Sequence, residues 1–204
     1  MEARLHAYLD LLLARNEKVN LTAVRHPAEA WERLILGSLT LLEAHQFQGD
    51  ERVADVGSGG GLPGIPLKIA VPGITLTLVE SDQKKAAFLR DVVAALALPD
   101  VVVDGRRAEE IGRDPAHRER YDVVVTRAAA KPPTAAEYCL PLVRVGGLML
   151  AQARGEDFRL ASRAVGQLGG RVRHERHGVV VIGKGRPTPE VFPRRVGVPG
   201  KRPL

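Results

Sequence analysis

The chain has 204 residues, 45% of them hydrophobic and 26% charged, which is room for one sizeable α/β domain with a small appendage but not for two full domains. No apolar run approaches the ~18–20 residues of a bilayer-spanning helix, and the chain does not open on a basic segment followed by an apolar one, so neither a membrane span nor a secretory signal is expected. The one cysteine, Cys139, excludes an intrachain disulfide framework and fits a reducing, cytoplasmic setting.

The net charge of +6 is unevenly spread. Residues 1–50 carry −2, residues 51–153 balance, and residues 154–204 carry +8. Such an excess at one end suits either a polyanionic partner or a solvated, arginine-rich surface.

In chain order, Leu5, Leu9, Leu12 and Leu13 share one helical face, and Trp31, Leu34, Ile35, Leu39 and Leu42 repeat that spacing between Pro27 and Ala44. Two helices are therefore expected ahead of the first strand, joined through Asn16-Glu17-Lys18-Val19-Asn20-Leu21-Thr22. Short β-branched runs follow at 52–56, 75–79, 101–103, 121–125, 147–152 and 179–183. Helical segments are expected between most of them, near 64–71, 83–97, 107–112, 134–143 and 156–168. This alternation predicts a largely parallel sheet covered on both faces. The Pro-, Gly- and Arg-rich stretch 185–204 predicts little regular structure. The expected division is a helical extension over 1–45 packed on the core, an α/β domain over 46–184 and a basic tail over 185–204, together effectively one domain.

The first strand runs directly into Gly57-x-Gly59-x-Gly61, with a helix start expected near Pro63 or Gly64. Glycines there let the backbone turn sharply and approach a ligand. Glu80 ends the next strand, 23 residues beyond Gly57, where a carboxylate can accept hydrogen bonds from both ribose hydroxyls of a nucleoside. A dinucleotide competes for this loop, because Gly59-x-Gly61-x-x-Gly64 formally fits its glycine pattern. Pro63 and Pro66 argue against it: both lack the N–H groups that a pyrophosphate would use. S-adenosylmethionine has no phosphate, so the loop favours that ligand over a dinucleotide. Arg107-Ala108-Glu109-Glu110, after the third strand, is positioned to cover an adenine, although Glu109 also suits a helix N-terminus electrostatically. Arg127 ends the fourth strand and faces the same crevice, as an anchor for a substrate phosphate or for the methionine carboxylate, with a surface ion pair as the alternative.

Three stretches together resemble the RsmG family, also called GidB, the small-subunit ribosomal RNA methyltransferases G. They are Asn16 to Val24, Val53-Ala54-Asp55-Val56-Gly57-Ser58-Gly59-Gly60-Gly61-Leu62-Pro63-Gly64-Ile65-Pro66-Leu67, and Thr126-Arg127-Ala128. The Gly-Leu-Pro-Gly-Ile-Pro extension is far more specific than a bare glycine loop, and the tail from Pro193 to Leu204 also resembles the ending of many members. The resemblance runs over most of the chain from about residue 8. It implies a class I methyltransferase fold: a Rossmann-like, mostly parallel seven-stranded sheet with an N-terminal helical extension. It implies S-adenosyl-L-methionine as donor and N7 of a guanine in the 530 loop of 16S rRNA, free or in the small subunit, as acceptor. The family's cofactor contacts fall on Gly57, Leu62, Ala108, Glu109 and Arg127. Gly59, Gly61 and Glu80 join them by motif position.

The chain departs from the family pattern in its second helix, where Arg-His-x-x-Asp-Ser-Leu is usual. Here the residues are Arg33-Leu34-Ile35-Leu36-Gly37-Ser38-Leu39, so Leu34 and Gly37 replace the His and the Asp. Arg154-Gly155 replaces the usual Lys-Gly, keeping charge but changing hydrogen-bond geometry.

Guanine N7 carries a lone pair in the neutral base, so its methylation needs positioning rather than a general base. None of the six histidines sits in a catalytic-looking motif. Cys139 lies in an apolar helical stretch and reads as core, not as a nucleophile. His174-x-x-His177 lacks partners at metal spacing, so no metal is expected. With few aromatic residues for base stacking, RNA contact would rest on phosphates, through Arg154, Arg194, Arg195, Lys201 and Arg202. A monomer is expected. The alternatives are a methyltransferase for another substrate, a non-catalytic RNA-binding relative and a nicotinamide enzyme.

Overall fold

The computed structural model describes residues 1–127 and 130–204; Ala128, the last residue of the Thr126-Arg127-Ala128 motif, lies outside them. Helix α1 (Glu2–Asn16) buries Leu5, Tyr8, Leu9 and Leu12, the expected face with Tyr8 added. Its last residue explains the motif that follows. The Asn16 Oδ1 accepts the Leu21 and Thr22 N–H groups at 2.8 and 3.0 Å, and its Nδ2 donates to the Thr22 carbonyl at 2.9 Å. One buried amide therefore closes the loop and fixes where Leu21 stands.

The second helical stretch is not one uniform helix. It comprises α2 (Pro27–Ala30), a π-helical turn (Trp31–Leu36), α3 (Gly37–Leu39) and α4 (Leu41–Ala44). The wider π turn keeps Leu34 and Ile35 in the core.

The α/β part then runs β1 (Arg52–Val56), α5 (Gly64–Ala70), β2 (Thr75–Val79), α6 (Gln83–Ala95), β3 (Val101–Asp104), α7 (Ala108–Ile111), β4 (Tyr121–Arg127) and α8 (Pro132–Cys139). It continues through β5 (Val143–Gln152), α9 (Gly155–Leu160), α10 (Ser162–Gln167), β6 (Gly170–Arg176), β7 (Val179–Lys184) and α11 (Val198–Lys201). The sheet order is β3-β2-β1-β4-β5-β7-β6. Five strands are parallel, and the β6–β7 hairpin closes one side antiparallel. Two hydrophobic clusters fill the two faces. The first packs α1, the π turn, α5 and α6 against the sheet; the second gathers α8, α9 and α10 on the other side. Cys139 is fully buried in the second cluster, where burial pushes its thiol well above the usual range.

Two expectations are corrected here. Gly170–Arg176 forms a seventh strand that periodicity did not predict. Its Arg-Val-Arg-His-Glu-Arg content carries no alternating apolar face, because as the sheet's edge it buries little. The tail, expected to be irregular, ends in α11 and is fastened throughout. Arg118 donates to the Thr188 and Phe192 carbonyls, Arg113 to that of Pro193, and Thr134 Oγ1 to that of Pro199.

Asn16→Ala leaves the Leu21 and Thr22 N–H groups without their shared acceptor. It is expected to destabilise the protein by about 2 kcal/mol, read as a lowered urea midpoint; an unchanged midpoint would refute this role for the clasp.

Candidate active site

The C-terminal ends of β1, β2 and β3 and the start of α7 surround a cavity of about 370 Å³. Gly57 and Gly59 form one wall, Glu80 and Ser81 the floor, and Ala108, Glu109 and Tyr138 the opposite wall; Arg127 stands at the β4 side. Six residues singled out from the sequence are thus brought together: Gly57, Gly59, Glu80, Ala108, Glu109 and Arg127. Gly61 and Leu62 are not on the described wall. Gly61 packs beneath the loop against Ile65, and Leu62 joins the first core cluster.

The glycine loop is a closed hydrogen-bond system. The Gly57 and Ser58 N–H groups donate to the Val79 carbonyl, those of Gly61 and Leu62 to the Ser58 carbonyl, and that of Ile65 to Gly61. The Gly59 N–H donates to Glu80 Oε2 at 2.9 Å and the Gly64 N–H to Asp55 Oδ2 at 2.9 Å. Pro63 and Pro66 have no N–H to give. Donors that would cradle a phosphate are therefore spent inside the loop, while acceptor capacity remains. Each Glu80 oxygen takes one backbone N–H, from Gly59 or Asp82, and keeps a free lone pair.

Helix α1 sits directly on this loop. The Tyr8 hydroxyl donates to the Gly60 carbonyl at 2.9 Å. A Cβ at Gly60 would lie 2.7 Å from Leu12 Cδ1 and 3.5 Å from Leu21 Cβ, so only glycine fits without displacing them. Below the loop, Asp55 is fully buried and its Oδ1 has no partner among the described residues. Burial pushes its carboxyl up to about 7; the Gly64 N–H opposes this, and the Glu80 charge adds to it.

The remaining walls use residues that sequence reasoning did not single out. Asp82 caps α6 by accepting from the Lys84 and Lys85 N–H groups, and Lys85 then lines the cavity. A capping acid two residues after Glu80 was the readable signal for it. Arg106 also reaches the cavity, but it is bound to Asp104 and Asp114. Tyr138 comes from α8, remote in sequence, and carried no signal.

Arg127 is half-buried. Its Nη2 donates to the Arg33 carbonyl at 2.9 Å, whereas its Nη1 is buried with no partner among the described residues. Beside it, Gln152 donates from Nε2 to the Gly37 carbonyl and Thr40 Oγ1, leaving its Oε1 without a partner. A Cβ at Gly37 would stand 3.8 Å from Arg127 Nη1. Gly37 occupies the place of the family's usual Asp, so the missing carboxylate is the group that would engage this nitrogen.

The tail forms part of the far wall. The Gly197 N–H donates to Glu109 Oε1 at 2.9 Å, which turns a buried carboxylate toward the tail. Arg194 grips Glu137 through Nε and Nη2, at 2.6 Å for the shortest contact, and Glu137 is fully buried. The Arg194 guanidinium is thus engaged internally. Arg195, Lys201 and Arg202 are exposed, and Arg154 is exposed beside Asp157 at 3.2 Å. Among the described residues no cluster of three or more His, Cys, Asp and Glu is arranged to hold a metal ion, and no helix is long and apolar enough to cross a membrane.

Residues 1–165 match the family model described as GidB, rRNA small subunit methyltransferase G. The chain belongs to this family. It is 43% identical over 215 aligned positions to the ribosomal RNA small subunit methyltransferase G of Moorella thermoacetica, covering 99% of this chain and 90% of that one. It is 46% identical over 207 positions to the protein of that name from Roseiflexus castenholzii, covering 95% and 87%. Among solved structures, MtNAS crystallised with S-adenosylmethionine superposes with a TM-score of 0.58 at 16% identity over 91% of this chain and 76% of that one, a likeness of fold alone. The GidB chain described here therefore has the class I methyltransferase fold, with the seven-stranded sheet that the family implies.

Two predictions follow from buried groups at this site. The Asp55 carboxyl, raised from 3.8 to about 7, binds more protons in the native than in the unfolded chain between those values. Stability therefore falls as pH climbs through that window. Asp55→Asn keeps an acceptor for Gly64 and removes the ionisation. Its urea midpoint is expected to gain on that of the parent between about pH 5 and about pH 8, and parallel curves would exclude the assignment. Gly37→Asp is expected to stabilise by about 1–2 kcal/mol, by engaging Arg127 Nη1 and removing a helical glycine; a lower melting temperature would overturn this.

Proposed function

We propose that the chain transfers the methyl group of S-adenosylmethionine to N7 of a guanine in the 530 loop of 16S rRNA. The observation that carries this reading is the polarity of the glycine loop. Its N–H groups are consumed internally while Glu80 keeps free lone pairs, so the cavity suits a nucleoside's hydroxyls and not a pyrophosphate. This disfavours a nicotinamide dinucleotide and supports the methyl donor, and the family membership supports the ribosomal acceptor. The relatives' fit to the class I fold agrees, as does MtNAS, whose structure holds S-adenosylmethionine.

In this reading Glu80 receives the ribose hydroxyls, and Ala108 and Glu109 flank the adenine. Gly57 and Gly59 let the backbone close on the ligand. Arg127 Nη1 takes an anion, either the methionine carboxylate or an RNA phosphate. The bound donor supplies a sulfonium methyl: the carbon–sulfur bond breaks as the N7–carbon bond forms, and the positive charge passes from sulfur to guanine. N7 brings its own lone pair, so the residues need only align the two atoms and exclude water. A cation against the guanine ring would oppose the charge that develops there, so Arg127 serves better as an anion anchor beside it. Arg154, Arg195, Lys201 and Arg202 are proposed phosphate contacts; Arg194, although it lies in the same basic tail, serves the fold through Glu137. The protein is proposed to act in the cytoplasm, as a monomer and without a metal.

Glu80→Ala is expected to weaken S-adenosylmethionine binding by roughly 10–100-fold in calorimetry, the loss of hydrogen bonds to a charged acceptor. Arg127→Ala is expected to depress tritiated methyl transfer to small-subunit RNA strongly. Near-normal turnover by Arg127→Ala, or label mapping away from guanine N7, would reject the corresponding part of the proposal.

A further inference from the structure

The edge strand β6 carries a row of cations whose arrangement exceeds what its sequence suggests. The β6–β7 register pairs Arg171 with Gly183, His174 with Val181 and Arg176 with Val179, and it slips between Val172 and His174, so Arg173 is a bulged residue. Val179 and Val181 belong to the first core cluster, which fixes the side that their partners share. Without the slip, Arg173 would turn to the opposite face; with it, Arg171, Arg173, His174 and Arg176 lie along one side. Gly183 completes the arrangement. A Cβ there would lie 2.2 Å from Arg173 Nε, so the guanidinium rests flat over a glycine.

The strand's one acid faces the other way. Glu175 pairs with Val180, a second-cluster residue, and its Oε2 accepts the Gly155 N–H at 3.0 Å. The nearest acid on the cationic side is Glu43 of α4, which contacts His177 at 3.1 Å. Arg171, Arg173 and Arg176 are exposed and make no ion pair among the described residues. At the far end the row opens into a groove of about 950 Å³, where Arg171, Arg173 and Arg186 stand over a glycine floor.

The near end is level with the candidate active site. Arg127 pairs with Gln152, Gln152 with Val179 and Val179 with Arg176, one register row across β4, β5, β7 and β6. At the usual strand spacing Arg176 lies roughly 14 Å from Arg127, and the row from Arg176 to Arg171 extends about 17 Å more. That length spans roughly five stacked nucleotides of one strand.

We propose that this face of β6 is a phosphate-binding track that holds the RNA backbone as it leaves the active-site cavity. The inference deepens the ribosomal RNA reading above and rests on it for the identity of the polyanion. Edge cations also deter sheet-to-sheet pairing, but that duty asks for neither a bulge that gathers them on one face nor a glycine beneath Arg173.

The test uses the full chain and small-subunit ribosomal RNA, with binding measured separately from turnover. The combined variant Arg171→Gln, Arg173→Gln, Arg176→Gln is expected to bind RNA at least tenfold more weakly. Its log affinity should fall less steeply with log salt, by roughly one unit per lost phosphate contact. S-adenosylmethionine affinity should stay unchanged, and methylation should show a raised KM for RNA with kcat kept. The corresponding triple Lys variant should bind as the parent does. If the Gln variant aggregates, each single Gln substitution is read by its salt slope. Unchanged RNA affinity and slope in the Gln variants would overturn the track, as would equal loss in the Lys variant. A parent protein that binds RNA in this salt-dependent way but does not methylate it would overturn the functional reading and leave the track standing.

Discussion

The candidate site depends on the contact between α1 and the glycine loop. A loop with three glycines in alternation would be entropically costly to hold in one shape. Here it is held from both sides. Tyr8 and Leu12 press on Gly60 from above, with Leu21 delivered to the same spot by the Asn16 clasp. From below, the Asp55 carboxylate takes the Gly64 N–H and fixes the start of α5. The N-terminal helices are therefore part of the binding apparatus. The same arrangement accounts for the unfavourable burial of Asp55: the group that anchors the helix start sits too deep to ionise at its usual pH.

The opposite wall depends on the tail in a similar way. Glu109 is buried at the cavity and would stand unpaired without the Gly197 N–H. Arg194, fixed on the buried Glu137, keeps the tail in register for that bond. Lys184 adds a second internal anchor, donating to the Leu140 carbonyl and Thr188 Oγ1 beside Glu119. Part of the C-terminal charge excess is thus structural, and the charge left free lies largely on the edge of the sheet.

Much of this was legible in the sequence, because parallel strands buried on both faces read as apolar β-branched runs and glycines punctuate them. Six strands fell within a few residues of their positions, and the loop, Glu80 and Arg127 converged as their strand ends required. The illegible parts have a common cause: they depend on neighbours distant in sequence. β6 is a strand because β7 pairs with it, although its own residues are polar. Tyr138 reaches the cavity only because the sheet order sets β4 next to β1. Gly60 looked like one more flexible loop residue, yet its missing side chain makes room for a helix some fifty positions earlier, at Leu12. Arg194 looked like a free cation because its partner is 57 positions away.

The register row from Arg127 to Arg176 ties these observations to one chemical requirement. Methylation at an atom with its own lone pair asks the protein for alignment, and alignment of a base demands control of the backbone on either side of it. A single anchor at Arg127 would let the strand pivot about one phosphate. A second set of cations on the same row, about three strand spacings away, removes that freedom without placing positive charge against the guanine. The bulge at Arg173 and the glycine beneath it then have a physical reason within the site's geometry: they extend the row along the edge in the direction the backbone must run.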